Sequence, residues 1–143
     1  YASKIGAITG FLTCNNIKSI KYVNHLIKVI VGPEVISGST RLKAGTATKM
    51  VLNMISTTSM IKLNHTFGNI MIDLVPKNKK LIERALSIIM NEISIDRKQA
   101  EELYDLSHQN LKVAIIMGKK HISCDEAYRI LNEENGNLKQ ILK

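Results

Sequence analysis

Two short apolar runs near the start of the chain constrain its fold more than any other feature. Residues 5–14 and residues 26–31 are apolar, and each ends at a polar or Gly-Pro turn. Such runs are typical of strands buried on both faces of a parallel sheet. Two strands are too few for a complete sheet. The pattern therefore predicts an α/β fold with a partial parallel sheet. Together with Tyr1 in place of an initial Met, it indicates a fragment, a truncation or a processed chain.

The middle of the chain predicts one long helix and one extended segment. Residues 40–62 have helical spacing, with Gly38 or Ser39 as the N-cap. Because residues 50–55 are apolar nearly all round, we expect them to be buried against a sheet or another subunit. Residues 69–75 alternate between apolar and polar, which predicts a strand or an extended crossover.

The remainder of the chain, from residue 79 onwards, is predicted to be a small all-helical segment. Apolar spacing and two capping-box patterns place five helices, with boxes at Asp96–Gln99 and Ser123–Glu126. The predicted helices cover residues 79–93, 97–106, 109–118, 124–133 and 137–142.

Positive charge is concentrated in the first half. Residues 1–72 contain eight Lys or Arg and one acidic residue, whereas residues 73–143 contain twelve Lys or Arg and eleven acidic residues. The cations are scattered and mostly Lys, and aromatics are only 4%, which argues against nucleic acid and favours a smaller anion such as a phosphate group. No apolar run approaches the roughly 18 residues of a membrane span, so we expect no membrane partner.

Cysteines and histidines indicate no metal. Cys14 and Cys124 lie far apart and belong to no metal-binding motif, so we expect two reduced cysteines. The four histidines show no metal-ligand spacing.

The stretch "GPEVISGSTRLKAGTATK", residues 32–49, has the features of an anion-binding wall. It joins a strand end to a helix N-terminus, where unpaired N–H groups and the helix dipole suit a phosphate. Hydroxyls, cations and one acceptor, Glu34, surround that point. Other interpretations stay open: Ser39 as a simple cap, Lys49 as a solvated lysine, Arg41 as part of an ion pair. The candidate binding residues are Glu34, Ser37, Gly38, Ser39, Thr40, Arg41 and Lys43, with Lys49 nearby.

Acid–base catalysis finds little support in the same half. Such chemistry needs a positioned acid and a positioned base. Glu34 is the only carboxylate before Asp73. Asp73 is as consistent with a structural role as with a catalytic one, and His65 is typical of a surface residue at a helix end. The sequence therefore predicts binding residues here and no catalytic pair.

The same stretch resembles a known family signature. "GPEVISGSTRLKAGTATKMVLNM" followed by "GNIMIDL" resembles the signature of bacterial N-acetylmuramic acid 6-phosphate etherases, which also marks the related glucokinase regulatory protein. "GAITGFLTCNN" is similar to a late strand of the family's sugar isomerase (SIS) domain. "KVAIIM" and "DEAYRILNEENGNLKQIL" resemble its C-terminal helical segment. The resemblance covers nearly the whole chain.

The resemblance implies a domain assignment and a reaction. Residues 1–78 would be the C-terminal part of a SIS domain, and residues 79–143 a helical segment in which 96–143 form a ubiquitin-associated-like (UBA-like) bundle. The family enzyme is a cytoplasmic carbon–oxygen lyase of peptidoglycan recycling. It converts N-acetylmuramic acid 6-phosphate to N-acetylglucosamine 6-phosphate and D-lactate. No cofactor or metal is implied, and SIS domains typically form homodimers.

The resemblance also implies what this chain lacks. The family's phosphate loop and its acid and base glutamates belong to the N-terminal half of the SIS domain, and no position here matches them. We therefore expect no catalytic residue in this chain and no etherase activity from it alone. Two alternatives stay open. The chain could be a non-catalytic phosphosugar-sensing regulatory module, or residues 96–143 could be an independent helical interaction module.

Overall fold

The structure is α/β, as predicted, with a two-stranded parallel sheet followed by a helical C-terminal part. This computed structural model describes all 143 residues and divides into two units, Tyr1–Thr58 and Ser59–Lys143. After a short 3-10 helix at Ala2–Ile5, the elements are β1 (Gly10–Thr13), β2 (His25–Lys28), α1 (Lys43–Lys62), β3 (Thr66–Phe67), β4 (Ile70–Met71), α2 (Lys79–Ile93), α3 (Arg97–Leu106), α4 (Leu111–Lys120), α5 (Cys124–Glu133) and α6 (Leu138–Ile141).

The first unit contains the parallel sheet. β1 and β2 pair in register from Gly10 opposite His25 to Thr13 opposite Lys28. Both strands are shorter than the apolar runs that predicted them. The expected burial is wrong, since no residue of this unit is buried. Strands of a parallel sheet become buried only when further strands and helices cover both faces, and two strands supply neither.

α1 is a 20-residue helix without a buried residue. Met50, Leu52 and Met54 are 58%, 55% and 58% exposed. The expectation that residues 50–55 are buried against a sheet is therefore wrong for this chain, and burial against another subunit stays a prediction. The helix also begins later than predicted, at Lys43 rather than residue 40.

A short hairpin includes the start of residues 69–75, the segment predicted to be a strand or an extended crossover. β3 and β4 are antiparallel, with Thr66 opposite Met71 and Phe67 opposite Ile70. The two-residue loop begins at Gly68, whose φ of +58° suits a tight hairpin turn. The predicted strand 69–75 is therefore regular only over Ile70–Met71, because pairing ends two residues beyond the turn.

The second unit has its core around α4. All seven residues of the run "LKVAIIM" within α4 are buried, which is typical of a helix that is packed on every side. α4 packs against α2, α3, α5 and α6, and Ile72 from the segment after β4 joins the same core. At Gly118 a Cβ would lie 2.4 Å from the Ile93 Cδ1 atom, so the absence of a side chain permits close packing of α2 and α4.

Side-chain caps begin every helix from α2 to α6. The N-caps are Asn78, Asp96, Asn110, Ser123 and Asn137, and Asp96 with Gln99 forms a complete capping box. The predicted helices 79–93, 97–106 and 124–133 are confirmed.

The other two predicted helices differ at their ends. α4 begins at Leu111 rather than 109, because His108 and Gln109 have φ of +54° and +60°, outside the helical region. The last helix is limited to Leu138–Ile141. No helix is both long and apolar enough to cross a bilayer. The assignment of 1–78 to a SIS domain and 79–143 to a separate helical segment stays a prediction.

Candidate functional site

The loop that precedes α1 holds the predicted binding residues within a series of tight turns. Gly38 has a φ of +82°, a conformation that favours glycine. The backbone N–H of Ser39 donates to the Ile36 carbonyl over 3.0 Å, and that of Thr40 to the Gly38 carbonyl over 3.0 Å. The Leu42 N–H donates to the Ser39 carbonyl over 3.1 Å. These turns fix the backbone of the loop from within.

Glu34 connects the start of this loop to the start of α1. Its carboxylate accepts the Lys43 backbone N–H over 2.8 Å and the Ala44 backbone N–H over 3.0 Å. The ammonium group of Lys43 donates to the Pro33 carbonyl over 2.8 Å. Glu34 thus caps a helix nine residues further along the chain and clamps the intervening loop.

The capping contacts act on the ionisation of Glu34. The backbone N–H groups of Ala44 and Lys43, with a further contribution from the Lys43 charge, hold the pKa of the Glu34 carboxyl below its ordinary value. A carboxylate at a helix N-terminus also interacts favourably with the helix dipole. Because α1 has no acidic residue in its first turn, Glu34 supplies the negative charge that this helix end lacks.

The helix N-terminus is therefore not open to an anion, contrary to the expectation from sequence. Glu34 occupies the first two amides. The Gly45 N–H donates to the Thr40 carbonyl over 2.8 Å, and the N–H of Leu42, the residue before the helix, donates to the Ser39 carbonyl over 3.1 Å. All four amides that a helix start usually leaves unpaired have partners. The predicted N-cap, Gly38 or Ser39, is wrong because a distant carboxylate performs that role.

The donors that remain for a ligand are side chains of the loop. Ser37, Thr40 and Arg41 are exposed, and their side chains make no hydrogen bond or ion pair within the chain. The interpretation of Arg41 as an ion-pair residue is thus excluded within this chain. Lys49 is exposed, as a solvated lysine would be. The loop can offer hydroxyl and guanidinium donors to an anion, while Glu34 holds the loop in place.

A second polar cluster, which the sequence did not predict, lies in the second unit. The Lys112 ammonium is 3.0 Å from the Asp73 carboxylate and donates over 2.9 Å to the Asn64 carbonyl. Asp73 also contacts the His65 Nδ1 atom. The Lys112 side chain is only 9% exposed, whereas those of His65 and Asp73 are 38% and 35% exposed.

This cluster attaches the hairpin segment to the helical core. A buried ammonium must have partners, and Lys112 finds both on the chain that flanks the hairpin. Sequence reasoning left the role of Asp73 open and treated His65 as a surface residue. The available signal was Lys112 itself, a single lysine within the apolar run at residues 111–117.

Comparison with known proteins relates the whole chain to one group of enzymes. It is 45% identical over 143 residues to the N-acetylmuramic acid 6-phosphate etherase of Staphylococcus epidermidis, a match that covers 99% of this chain and 48% of that protein. It is 42% identical to N-acetylmuramic acid 6-phosphate etherase 1 of Enterococcus faecalis, with the same coverage. The etherase of a Geobacillus species is 45% identical over 144 residues, and 49% of it is covered.

This chain is homologous to the C-terminal half of those etherases. It spans about half the length of the curated relatives that it matches. None of the searched protein-family models matches it. The resemblance inferred from the signature at residues 32–54 is confirmed, and it extends along the whole chain.

Proposed function

We propose that this chain is the C-terminal part of an N-acetylmuramic acid 6-phosphate etherase, a carbon–oxygen lyase in its complete form. The observation that supports this proposal is the homology, which runs along the entire chain at 42–45% identity in relatives from three genera. The clamped loop is a second support, because it presents exposed hydroxyls and an unpaired guanidinium on a fixed backbone.

The proposed reaction is an elimination followed by addition of water. A base removes the proton at C2 of the sugar, the bond to the lactyl oxygen breaks, and an acid protonates the departing D-lactate. Water then adds to the unsaturated sugar to give N-acetylglucosamine 6-phosphate. We assign both proton-transfer groups to the half of the protein that this chain does not span, and no catalytic residue and no cofactor to this chain.

The part of this chain in the reaction is to form one wall of the sugar-phosphate site. We assign substrate binding to Glu34, Ser37, Gly38, Ser39, Thr40, Arg41 and Lys43. Glu34 uses one lone pair of each oxygen on α1, and the remaining lone pairs can accept sugar hydroxyls. Arg41 suits the phosphate, since a guanidinium can donate two parallel hydrogen bonds to it.

The remaining assignments follow the etherase proposal. Residues 1–78 are proposed as part of a SIS domain and residues 96–143 as a UBA-like bundle. The complete protein is proposed to act in the cytoplasm as a homodimer, in peptidoglycan recycling. The uncovered apolar side chains of α1 support an interface on this helix.

A fusion protein tests the function. The N-terminal half of the S. epidermidis etherase, joined to this chain, is expected to release D-lactate from N-acetylmuramic acid 6-phosphate. This chain alone is expected to release none. In the fusion, Arg41→Ala should raise KM by about tenfold or more, since a charged hydrogen bond to phosphate is worth about 1.5–3 kcal/mol. Lys18→Ala, a substitution of another exposed cation in the same unit, serves as the control.

Two results would contradict the proposal. A folded fusion protein that binds the phosphosugar without releasing lactate would favour the regulatory module. An Arg41→Ala variant with the same KM as the Lys18→Ala variant would remove Arg41 from the site.

A further inference from the structure

The carboxyl ends of β1 and β2 lie at the same edge of the parallel sheet, where Thr13 is opposite Lys28. In open α/β sheets, ligands bind just beyond the carboxyl ends of the strands. The chain that follows β2 leads to Glu34 and the candidate binding loop. The chain that follows β1 makes a bend at Cys14 and Asn15. Both connections therefore start at the edge of the sheet where a ligand is expected.

A contact with α1 joins the bend after β1 to the candidate loop. The Cys14 thiol donates to the Ala44 carbonyl over 3.7 Å, and the Ala44 N–H donates to the Glu34 carboxylate over 3.0 Å. Ala44 is the second residue of α1 and is thus bonded to both connections. The bend after β1 therefore lies beside the clamped start of α1, which is the boundary of the candidate site.

The two residues after Cys14, Asn15 and Asn16, have side-chain amides that the fold does not use. Both residues are exposed, and neither side chain makes a hydrogen bond within the chain. The backbone of Asn15 is fixed, because its N–H donates to the Thr13 Oγ1 atom over 3.1 Å and its carbonyl accepts from the Ile17 N–H over 3.1 Å. Asn15 is therefore held in place, and both amides are free to contact a ligand.

The chemistry of these amides suits a neutral ligand group rather than an anion. Each side chain has N–H donors and a carbonyl acceptor. No charged residue occurs from residue 5 to residue 17, so the bend offers no cation to a phosphate or a carboxylate. The acetamido group of the N-acetylated sugar named in the relatives presents one N–H donor and one carbonyl acceptor. It needs an acceptor and a donor at the same time, and two adjacent asparagines supply both.

We propose that the side-chain amides of Asn15 and Asn16 bind the acetamido group at C2 of the sugar. This inference rests on the proposed function and adds the residues that distinguish an N-acetylated sugar phosphate from a plain one. It also assigns them a positioning role. C2 carries both the acetamido group and the proton that the proposed reaction removes, so residues that hold this group also orient the carbon that reacts.

Inhibition of lactate release by two sugar phosphates tests this assignment in the fusion protein. N-acetylglucosamine 6-phosphate and glucose 6-phosphate differ only at C2, which carries an acetamido group in the first and a hydroxyl in the second. Asn15→Ala combined with Asn16→Ala should raise the inhibition constant of N-acetylglucosamine 6-phosphate about tenfold, since the acetamido group loses its hydrogen-bond partners. The inhibition constant of glucose 6-phosphate should change by less than about twofold, since this sugar has no acetamido group to lose them.

Two controls separate loss of recognition from loss of folding. Asn91→Ala replaces an exposed asparagine of α2 whose side chain also makes no hydrogen bond, and it should leave both inhibition constants unchanged. In the double variant, inhibition by glucose 6-phosphate reports on the rest of the site. Equal weakening of inhibition by both sugar phosphates, or no weakening by either, would overturn the assignment to Asn15 and Asn16.

The remaining outcomes separate this inference from the proposed function. A fusion protein that releases lactate, with the same inhibition constants in every variant, would support the function and contradict this inference. For a fusion protein that releases no lactate, calorimetry measures the binding of the two sugar phosphates directly. A selective loss of N-acetylglucosamine 6-phosphate binding in the double variant would then support this inference and leave the function contradicted. Binding of neither sugar phosphate would overturn both.

Discussion

At the scale of single residues, Glu34 links the loop and the helix of the candidate site. It is the only acid before Asp73, and it satisfies two amides at the start of α1. Its carboxylate therefore has a structural role in addition to the proposed contact with sugar. A substitution of Glu34 changes the loop that carries Ser37 and Arg41, so its effect on activity combines both roles.

We predict that the cap dissociates when Glu34 is protonated, at a pH below the ordinary pKa of a glutamate. Because the pKa of Glu34 is lowered in the folded protein, its contribution to stability is complete above the pKa of an unfolded glutamate. That contribution is lost as the pH falls through the folded pKa, which lies below the ordinary 4.5. Backbone amide shifts of Lys43 and Ala44, followed by NMR, should titrate with a midpoint below 4.5. Glu34→Gln should abolish this titration, and a midpoint above 4.5 would contradict the capping role.

The buried Lys112 gives a second prediction at this scale. Asp73→Asn should lower the free energy of unfolding by about 3 kcal/mol, because it leaves a buried ammonium without its counter-charge. Lys112→Met should cost about 1 kcal/mol or less, because Asp73 is partly exposed and keeps His65. Urea denaturation of the two variants checks this order. A larger loss for Lys112→Met would show that the ion pair itself stabilises the fold.

At the scale of elements, the helix ends of the second unit follow local rules. Asn78, Asp96 and Ser123 cap the helices that the sequence predicts after them, because a side chain can reach an amide three residues ahead without help from the rest of the fold. The C-terminal ends are less regular. Ser94, the C-cap of α2, has a φ of +61°, a region that favours glycine.

We therefore predict that glycine has opposite effects on stability at the C-cap of α2 and within α2. Ser94→Gly should raise the free energy of unfolding by about 0.5–1 kcal/mol, because it relieves the left-handed conformation. Ser87→Gly, within the same helix, should lower it by about 0.5 kcal/mol or more, because glycine is a poor helix former. Thermal unfolding of both variants gives the sign of each change in stability. The same sign for both variants would contradict the explanation.

The elements that the sequence did not predict correctly depend on distant contacts. The start of α1 depends on Glu34, which lies nine residues upstream, beyond the reach of a capping rule. The strands 5–14 and 26–31 were predicted too long because their apolar residues lack the neighbours that would extend the pairing. The position of Asp73 against Lys112 joins residues 39 apart, and no local pattern encodes that contact.

At the scale of the whole molecule, stability is unevenly distributed between the two units. All of the buried residues lie after residue 58. We predict that amide hydrogen exchange in β1, β2 and residues 43–58 is at least about 100-fold faster than in α2 and α4, since local opening needs little energy where no core is lost. Mass spectrometry of exchange measures this difference, and equal protection in both units would contradict it.

The absence of a core before residue 58 also predicts where a protease would cut this chain. Proteases cleave segments that open easily, so limited proteolysis should begin on the amino-terminal side while α2–α6 persist. The fragment that survives longest should correspond to the second unit, Ser59–Lys143.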